Sequence, residues 1–507
     1  MTAPATVRNL LAWGADDATA ITAPSAIPLT YAGLREQSDE TIVALNAVGI
    51  GRSDRVAIVL ANGPEMAVAF LSIASGVTSA PLNPQYRPDE FEFYLTDLNA
   101  RALVVEAGAP SAALDIAAKL DVPVITLVAT PQKGAGRFVL DTGDAPRRSP
   151  TAGGPAESSD VALVLHTSGT TSRPKIVPLT QANICASARN VSQTLRLTAT
   201  DRGLVIMPLF HIHGLIAGVL SPLSVGGSVF CSPGFNALKF FSWVEEARPT
   251  WYTAVPTMHQ TILARAGHNA PTIAANPLRF IRSSSSSLPP QVLAELEATF
   301  ETRVLESYGM TEAAHQMASN QLAPGLRKPG AVGAAAGPEM AIMDETGQIL
   351  PQGQTGEVVI RGDNVTLGYE NNPKANAEAF TDGWFRTGDQ GVMDEDNFLT
   401  LTGRLKEIIN RGGEKISPRE VDEVLMDHPA VLQVVTFAIP HDKLGEEVGA
   451  AVVLREGQSA AERELRDFVA TRLIDFKVPR KIIFLDEIPK GATGKLQRVG
   501  LAQKLGL

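Results

Sequence analysis

Residues 166–175, HTSGTTSRPK, set three threonines, two serines and a glycine ahead of an arginine and a lysine. Hydroxyls, loop amides and a cation in one short stretch can wrap phosphate oxygens. Each charge-assisted hydrogen bond of that kind contributes about 1.5–3 kcal/mol. The pattern is not GxxxxGK[ST], which argues against kinases and ATPases built on that loop. Composition by itself leaves a plain solvated turn open. Three further stretches carry chemically useful side chains: PLFHIHGL (208–215), the serine run 283–287, and TEAAHQM (311–317). They hold three of the chain's eight histidines beside a bank of hydroxyls. Such a lining suits an anion better than an alkyl chain.

These residues need elements to hold them. The opening loop follows an apolar run, Val161 to Leu165, and a helix is expected from near Thr180. The serine run follows the strand-like RFIR and precedes a periodic helix opened by Pro289 and Pro290. It therefore reads as a strand-to-helix turn lining a site, although five serines in isolation also suit a linker. Earlier, DRVAIVLA is followed by PEMAVAFLSIASG, and ARALVVEAG by SAALDIAAKL and PVITLVA. Alternating strands and helices predict parallel sheets crossed by helices. Between roughly 330 and 400, short strands closed by DETG, DEDN and glycine turns predict a small antiparallel or barrel-like unit. Beyond it, a charged helix around PREVDEVLMDH and strands at VVTFAIP and GAAVVLRE predict a compact α+β segment.

A chain of 507 residues exceeds one ordinary core. The boundary is placed near Lys406, giving residues 1–405 as a large domain and 406–507 as a small one. The expected fold is α/β: a large N-terminal domain of two parallel-sheet α/β subdomains plus a small β-barrel-like subdomain, then a small α+β C-terminal domain. The net charge of −10 offers no footprint for nucleic acid or an anionic bilayer. Two cysteines without CxxC spacing make a disulfide framework or thiolate metal site a poor reading. The first residues lack a basic segment and an apolar run, and no 18-residue apolar stretch occurs. A cytoplasmic protein without membrane insertion is expected; oligomeric state is not legible.

TSGTTSRPK resembles the phosphate loop of the adenylate-forming superfamily, which includes acyl-CoA synthetases, luciferases and peptide-synthetase adenylation domains. SYGMTE (307–312), WFRTGD (384–389), GRLKEIINRGGEKISP (403–418) and PKGATGKLQR (489–498) follow in that superfamily's order. The resemblance spans nearly the whole chain. Ser172 and Ile176 depart from the commoner glycines of the loop, which leaves its backbone path open but not its role. The resemblance implies ATP-dependent activation of a carboxylate to an acyl-adenylate, release of diphosphate, and transfer of the acyl group to coenzyme A. ATP, Mg²⁺ and CoA are the implied cofactor set.

The same resemblance assigns residues. Thr167, Ser168, Gly169, Thr170, Thr171, Ser172 and Lys175 would cradle the β- and γ-phosphates. Ser284, Ser285, Glu306, Ser307, Gly309 and Met310 would line the nucleotide, with Tyr308 against the adenine. Thr311 would bond the α-phosphate and Glu312 would hold Mg²⁺. Asp389 would take both ribose hydroxyls beside Arg404, and Lys495 would stabilise charge as the new bond forms. Outside this motif context, Asp389 is an ordinary turn residue and Lys495 a solvated tail lysine. Lys406 would be the hinge, and Arg411, Gly412 and Gly413 would line the CoA tunnel.

The acid would meet His211, with His211 also counted among the catalytic groups, and His213, Ser284 and His315, the last able to carry charge. A metal site at His211 and His213 is disfavoured by the flanking motifs. IRSSSSSL, YGMTEAAHQM, RPKIVPLTQ and INRGGEKISP look most like the oxalate–CoA ligases of the superfamily. The expected acid is therefore oxalate. The alternatives are another short dicarboxylate or aromatic acid, or loading of a carrier protein.

Overall fold

The computed structural model describes residues 5–167, 174–490 and 496–507. Ser168, Gly169, Thr170, Thr171, Ser172 and Lys495 thus lie outside the described residues. Among the described residues the strands form four sheets, of nine, seven, five and five strands.

The nine-stranded sheet has a parallel centre. Trp251–Ala254 pairs with Arg202–Val205 on one side and Phe280–Ser283 on the other, and Phe280–Ser283 pairs with Val304–Met310. Every residue of Trp251–Ala254 and Phe280–Ser283 is buried, as strands covered on both faces must be. Antiparallel strands close the edges, His315–Ser319 returning along Val304–Met310. The seven-stranded sheet likewise has parallel Arg55–Val59, Thr78–Pro81 and Ala102–Glu106 at its centre. The helix Pro64–Ala74 and the strands before and after it match the alternation read from the sequence.

One element was not expected. Val161–His166 pairs antiparallel with Ile176–Thr180, a strand that precedes the helix. The helix Gln181–Thr194 begins where expected, with the Thr180 hydroxyl accepting the Asn183 amide. Pro178 hid this strand, because proline is tolerated only at a sheet edge, which is where Ile176–Thr180 lies.

The 330–400 region is a five-stranded antiparallel sheet from Glu339–Met343 to Leu399–Arg404. The C-terminal sheet pairs Val431–His441 with Gly445–Leu454, and Lys481–Phe484 joins in parallel. The helix Glu462–Ala470 lies between those last two strands in the chain, as a parallel pair requires a crossover. Helix Pro418–Met426 packs Val421 and Leu425 into this second core. Among the described residues, no helix is long and apolar enough to cross a membrane.

Candidate active site

The parallel strands of the large sheet deliver their C-terminal ends to one place, the usual address of a ligand crevice in open α/β sheets. There the serine run leaves Phe280–Ser283. Ser284 is buried and its hydroxyl donates to the Ser307 carbonyl at 3.0 Å, while the Ser307 hydroxyl donates to the Ser283 carbonyl at 3.3 Å. Ser285 is only half-buried and holds φ at 73°, a left-handed backbone uncommon for a residue with a side chain. Its hydroxyl meets His213 Nδ1 at 3.0 Å, and His213 Nε2 meets the Thr253 hydroxyl at 2.7 Å.

His213 starts a buried π-helical segment, His213–Leu220, a wide-turn geometry frequent at functional sites. Its ring stacks on His315 with centroids 4.8 Å apart and planes inclined by 18°. The sequence stretches 208–215, 283–287 and 311–317 therefore do converge. His211 lies half-buried at the mouth of the π-helical segment. Gly309 allows the convergence: a Cβ there would lie 1.8 Å from the His315 carbonyl oxygen. His315 itself sits at φ 101°.

The Tyr308 hydroxyl donates to Asp389 at 2.5 Å, and Arg404 Nε reaches the other carboxylate oxygen at 3.2 Å. Asp389 and Arg404 face each other across paired strands, so the sheet register sets this contact. Burial, followed by the Asp389 charge, holds the Tyr308 phenol well above its ordinary value. A carboxylate offers about four lone-pair directions, so Asp389 retains acceptor capacity for further hydroxyls.

Met310 ends its strand, and Thr311 and Glu312 open the short turn Thr311–Ala313. Glu312 is buried and accepts the Tyr369 hydroxyl at 2.7 Å; Lys175 Nζ stands 4.3 Å from the Tyr369 ring centre. Tyr369 was not anticipated from sequence. The Thr366 hydroxyl ties its segment to the Pro178 carbonyl at 2.8 Å, which brings the hairpin and Glu312 together. Burial pushes the Glu312 carboxyl up, more than the Tyr369 hydroxyl and Lys175 pull it down. An almost dry carboxylate with one hydroxyl donor fits a hard cation that takes its remaining ligands from phosphate and water. No group of three or more metal-ligating side chains gathers among the described residues.

Glu306 contacts a different part of the chain. Its Oε2 accepts the Gly330 amide at 3.1 Å, and Arg419 of the helix Pro418–Met426 reaches the Gly330 carbonyl at 3.5 Å. Burial raises Glu306 from 4.5 to about 7 against the opposing pull of the Gly330 amide and Arg419. The folded state then binds a proton that the unfolded chain releases, so stability falls as pH rises through that window. Glu306→Gln should flatten the dependence by up to roughly 3 kcal/mol between the two limits. Denaturant melts at pH 5 and 7.5 check this; identical slopes in both proteins would refute it.

Between Arg404 and Ile409 the chain leaves one sheet and enters the next through an exposed turn holding Lys406. Beyond it Arg411 pairs with Glu447 at 2.6 Å. Gly412 and Gly413 turn the hairpin with φ of 61° and 100°. Contacts that dock the small domain include Arg419 Nη1 on the Leu401 carbonyl at 2.7 Å and Gln260 Nε2 on the Leu432 carbonyl at 3.3 Å.

Sequence reasoning also passed over Arg282 and Thr253, which flank His213. A visible signal existed for the first, because an arginine between Ile281 and Ser283 interrupts an otherwise apolar strand.

With this geometry in hand, comparison with known proteins is informative. A family model described as AMP-binding enzyme matches residues 12–370, and its C-terminal domain model matches 420–495. A probable CoA ligase of Humulus lupulus, CCL9, is 48% identical, covering 95% of this chain and 92% of its own. An oxalate–CoA ligase of Arabidopsis thaliana is 45% identical, covering 96% and 95%. The ATP-bound crystal structure of MatB from Rhodopseudomonas palustris superposes with a TM-score of 0.88 at 30% identity, covering 99% and 98%.

Proposed function

Since this chain belongs to the AMP-binding enzymes, we propose that it is an AMP-forming acid–CoA ligase whose acid is oxalate. Oxalate, ATP and CoA would give oxalyl-CoA, AMP and diphosphate through an oxalyl-adenylate. In this reading residues 1–405 bind ATP and the acid, and residues 406–507 form the mobile domain. Thr167 to Lys175 take the outer phosphates, Thr311 the α-phosphate, Tyr308 the adenine and Asp389 the ribose. Glu312 would hold Mg²⁺, which neutralises phosphate charge when bound. Arg411, Gly412 and Gly413 line the way for CoA, where residues without Cβ permit close approach.

The observation that carries the choice of acid is the lining of the pocket: hydroxyl and imidazole groups stand where a fatty or aryl acid would need apolar walls. A second carboxylate buried without partners costs several kcal/mol, so a small diacid requires such donors. We assign that carboxylate to Ser285, flanked by His211 and His315. Ser284 has its proton on the Ser307 carbonyl, and both ring nitrogens of His213 are engaged, so these two act from behind. The relatedness to oxalate–CoA ligases over nearly the full chain supports the same acid.

A site that hydrogen-bonds a second carboxylate should reject acetate by about 10⁴ in kcat/KM relative to oxalate. A diphosphate-release panel with oxalate, malonate, acetate, coumarate and octanoate tests this. Coumarate or octanoate outrunning oxalate would end the specificity claim. Replacing CoA with a pantetheinylated carrier protein should abolish the second step; efficient transfer to the carrier would favour a loading enzyme instead.

A further inference from the structure

Arg282 is fully buried, and no carboxylate among the described residues offsets its charge. Its Nε is buried without a hydrogen-bond partner. Buried guanidinium groups normally have a counter-charge, and burial alone lowers this one to about 9. Its forked end is nevertheless held on three sides. Nη2 donates to Gln316 Oε1 at 3.3 Å, while Nη1 lies 3.4 Å from both the Thr253 hydroxyl and His213 Nε2. The Gln316 amide is fixed by donating to the Thr194 hydroxyl at 3.1 Å and the Ala336 carbonyl at 3.0 Å. Its oxygen therefore faces the arginine.

These contacts determine proton positions. A guanidinium can only donate. A protonated Nε2 on His213 would oppose the arginine N–H, so Nε2 must be the acceptor. The Thr253 hydroxyl, 2.7 Å away, then donates to it. Neutral His213 carries its single proton on Nδ1 and donates it to the Ser285 hydroxyl at 3.0 Å. Ser285 Oγ, accepting that proton, cannot aim its own hydrogen back at His213 and is left to donate it away from the ring. The chain runs from fully buried Arg282 and His213 to half-buried Ser285. The strained φ of 73° keeps Ser285 at that end.

We propose that Arg282 is a positioning residue which, through Thr253 and His213, locks the Ser285 hydroxyl as a hydrogen-bond donor to the substrate's second carboxylate. This rests on the assignment of a diacid to the site. Arg282 touches no substrate itself; its uncompensated charge also favours an anion beyond the relay. No bond forms or breaks in the relay, and no proton is transferred.

The test uses full-length enzyme and ATP–diphosphate exchange with varied oxalate. Ser285→Gly suits the left-handed backbone, and Thr253→Val keeps the side-chain shape. Each should raise the oxalate KM about 10–100-fold, the loss of one hydrogen bond to a charged group. In Thr253→Val, which lies outside the nucleotide-lining residues, the KM for ATP should stay within about twofold. The double variant should be no worse than Ser285→Gly alone, because both changes break one chain. Arg282→Gln should join the same non-additive set. If it fails to fold, as a thermal melt would reveal, the other two variants still decide. Normal oxalate KM in Ser285→Gly and Thr253→Val, or fully additive losses, would overturn the relay while leaving oxalate as the acid. A wild-type enzyme that activates no dicarboxylate would overturn both.

Discussion

Lys495→Ala should reduce ATP–diphosphate exchange by about 10²–10³ while ATP binding, followed by calorimetry, is nearly unchanged. An ammonium offered to the carboxylate and the α-phosphate oxygens stabilises charge that is redistributed as the anhydride forms. Its loss removes an interaction made mainly in the transition state, so kcat and kcat/KM should fall together. In the proposed arrangement the ground-state contacts to phosphate, ribose and adenine come from residues 1–405 and should survive. The last residues of the lysine motif are held by contacts to the rest of the chain. Gln497 bonds the Pro489 carbonyl at 2.9 Å, and Arg498 bridges Asp422 at 2.7 Å and Glu407 at 3.2 Å. Undiminished exchange in the variant would mean the lysine is misassigned.

Lys406→Pro should split the two half-reactions, sparing adenylate formation and slowing thioester formation by two orders of magnitude or so. The Arg498–Glu407 contact explains why one residue can matter so much. Glu407 follows Lys406 directly, so Arg498 at the end of the lysine motif is tied to the residue just past position 406. A rotation about residue 406 would therefore carry Glu407 and Arg498 together. The neighbouring amides are committed, Leu405 to the Gly388 carbonyl at 2.9 Å and Glu407 to the Arg404 carbonyl at 2.8 Å, whereas the Lys406 amide makes no such bond to the described residues. Proline thus removes torsional freedom without removing a backbone bond. Exchange and thioester production, measured separately on one preparation, check this; equal loss of both steps would defeat it.

How much of this was legible in advance depends on how local each feature is. The helix Pro418–Met426 and the strands Val431–His441 and Gly445–Leu454 follow from short-range pattern, because burial of one face dictates periodicity. The strand Ile176–Thr180 was not legible, because its proline is acceptable only once a neighbouring strand makes it an edge. Tyr369 escaped for a related reason. Its hydroxyl finds Glu312 fifty-seven residues away in sequence, and nothing in the local pattern announces that meeting.

The amino-acid sequence by itself determined the alternation of elements, the ordered motifs, and which side-chain chemistries were present: hydroxyls and a cation for phosphates, imidazoles and serines for an anion. Only the tertiary structure decided that Ser284 is tied to the Ser307 carbonyl while Ser285 meets His213, and that a buried arginine stands behind that histidine. Hydrogen-bond direction is fixed by the full set of neighbours around each polar atom, and those neighbours, Thr253, Ser285 and Gln316, come from separate strands and loops.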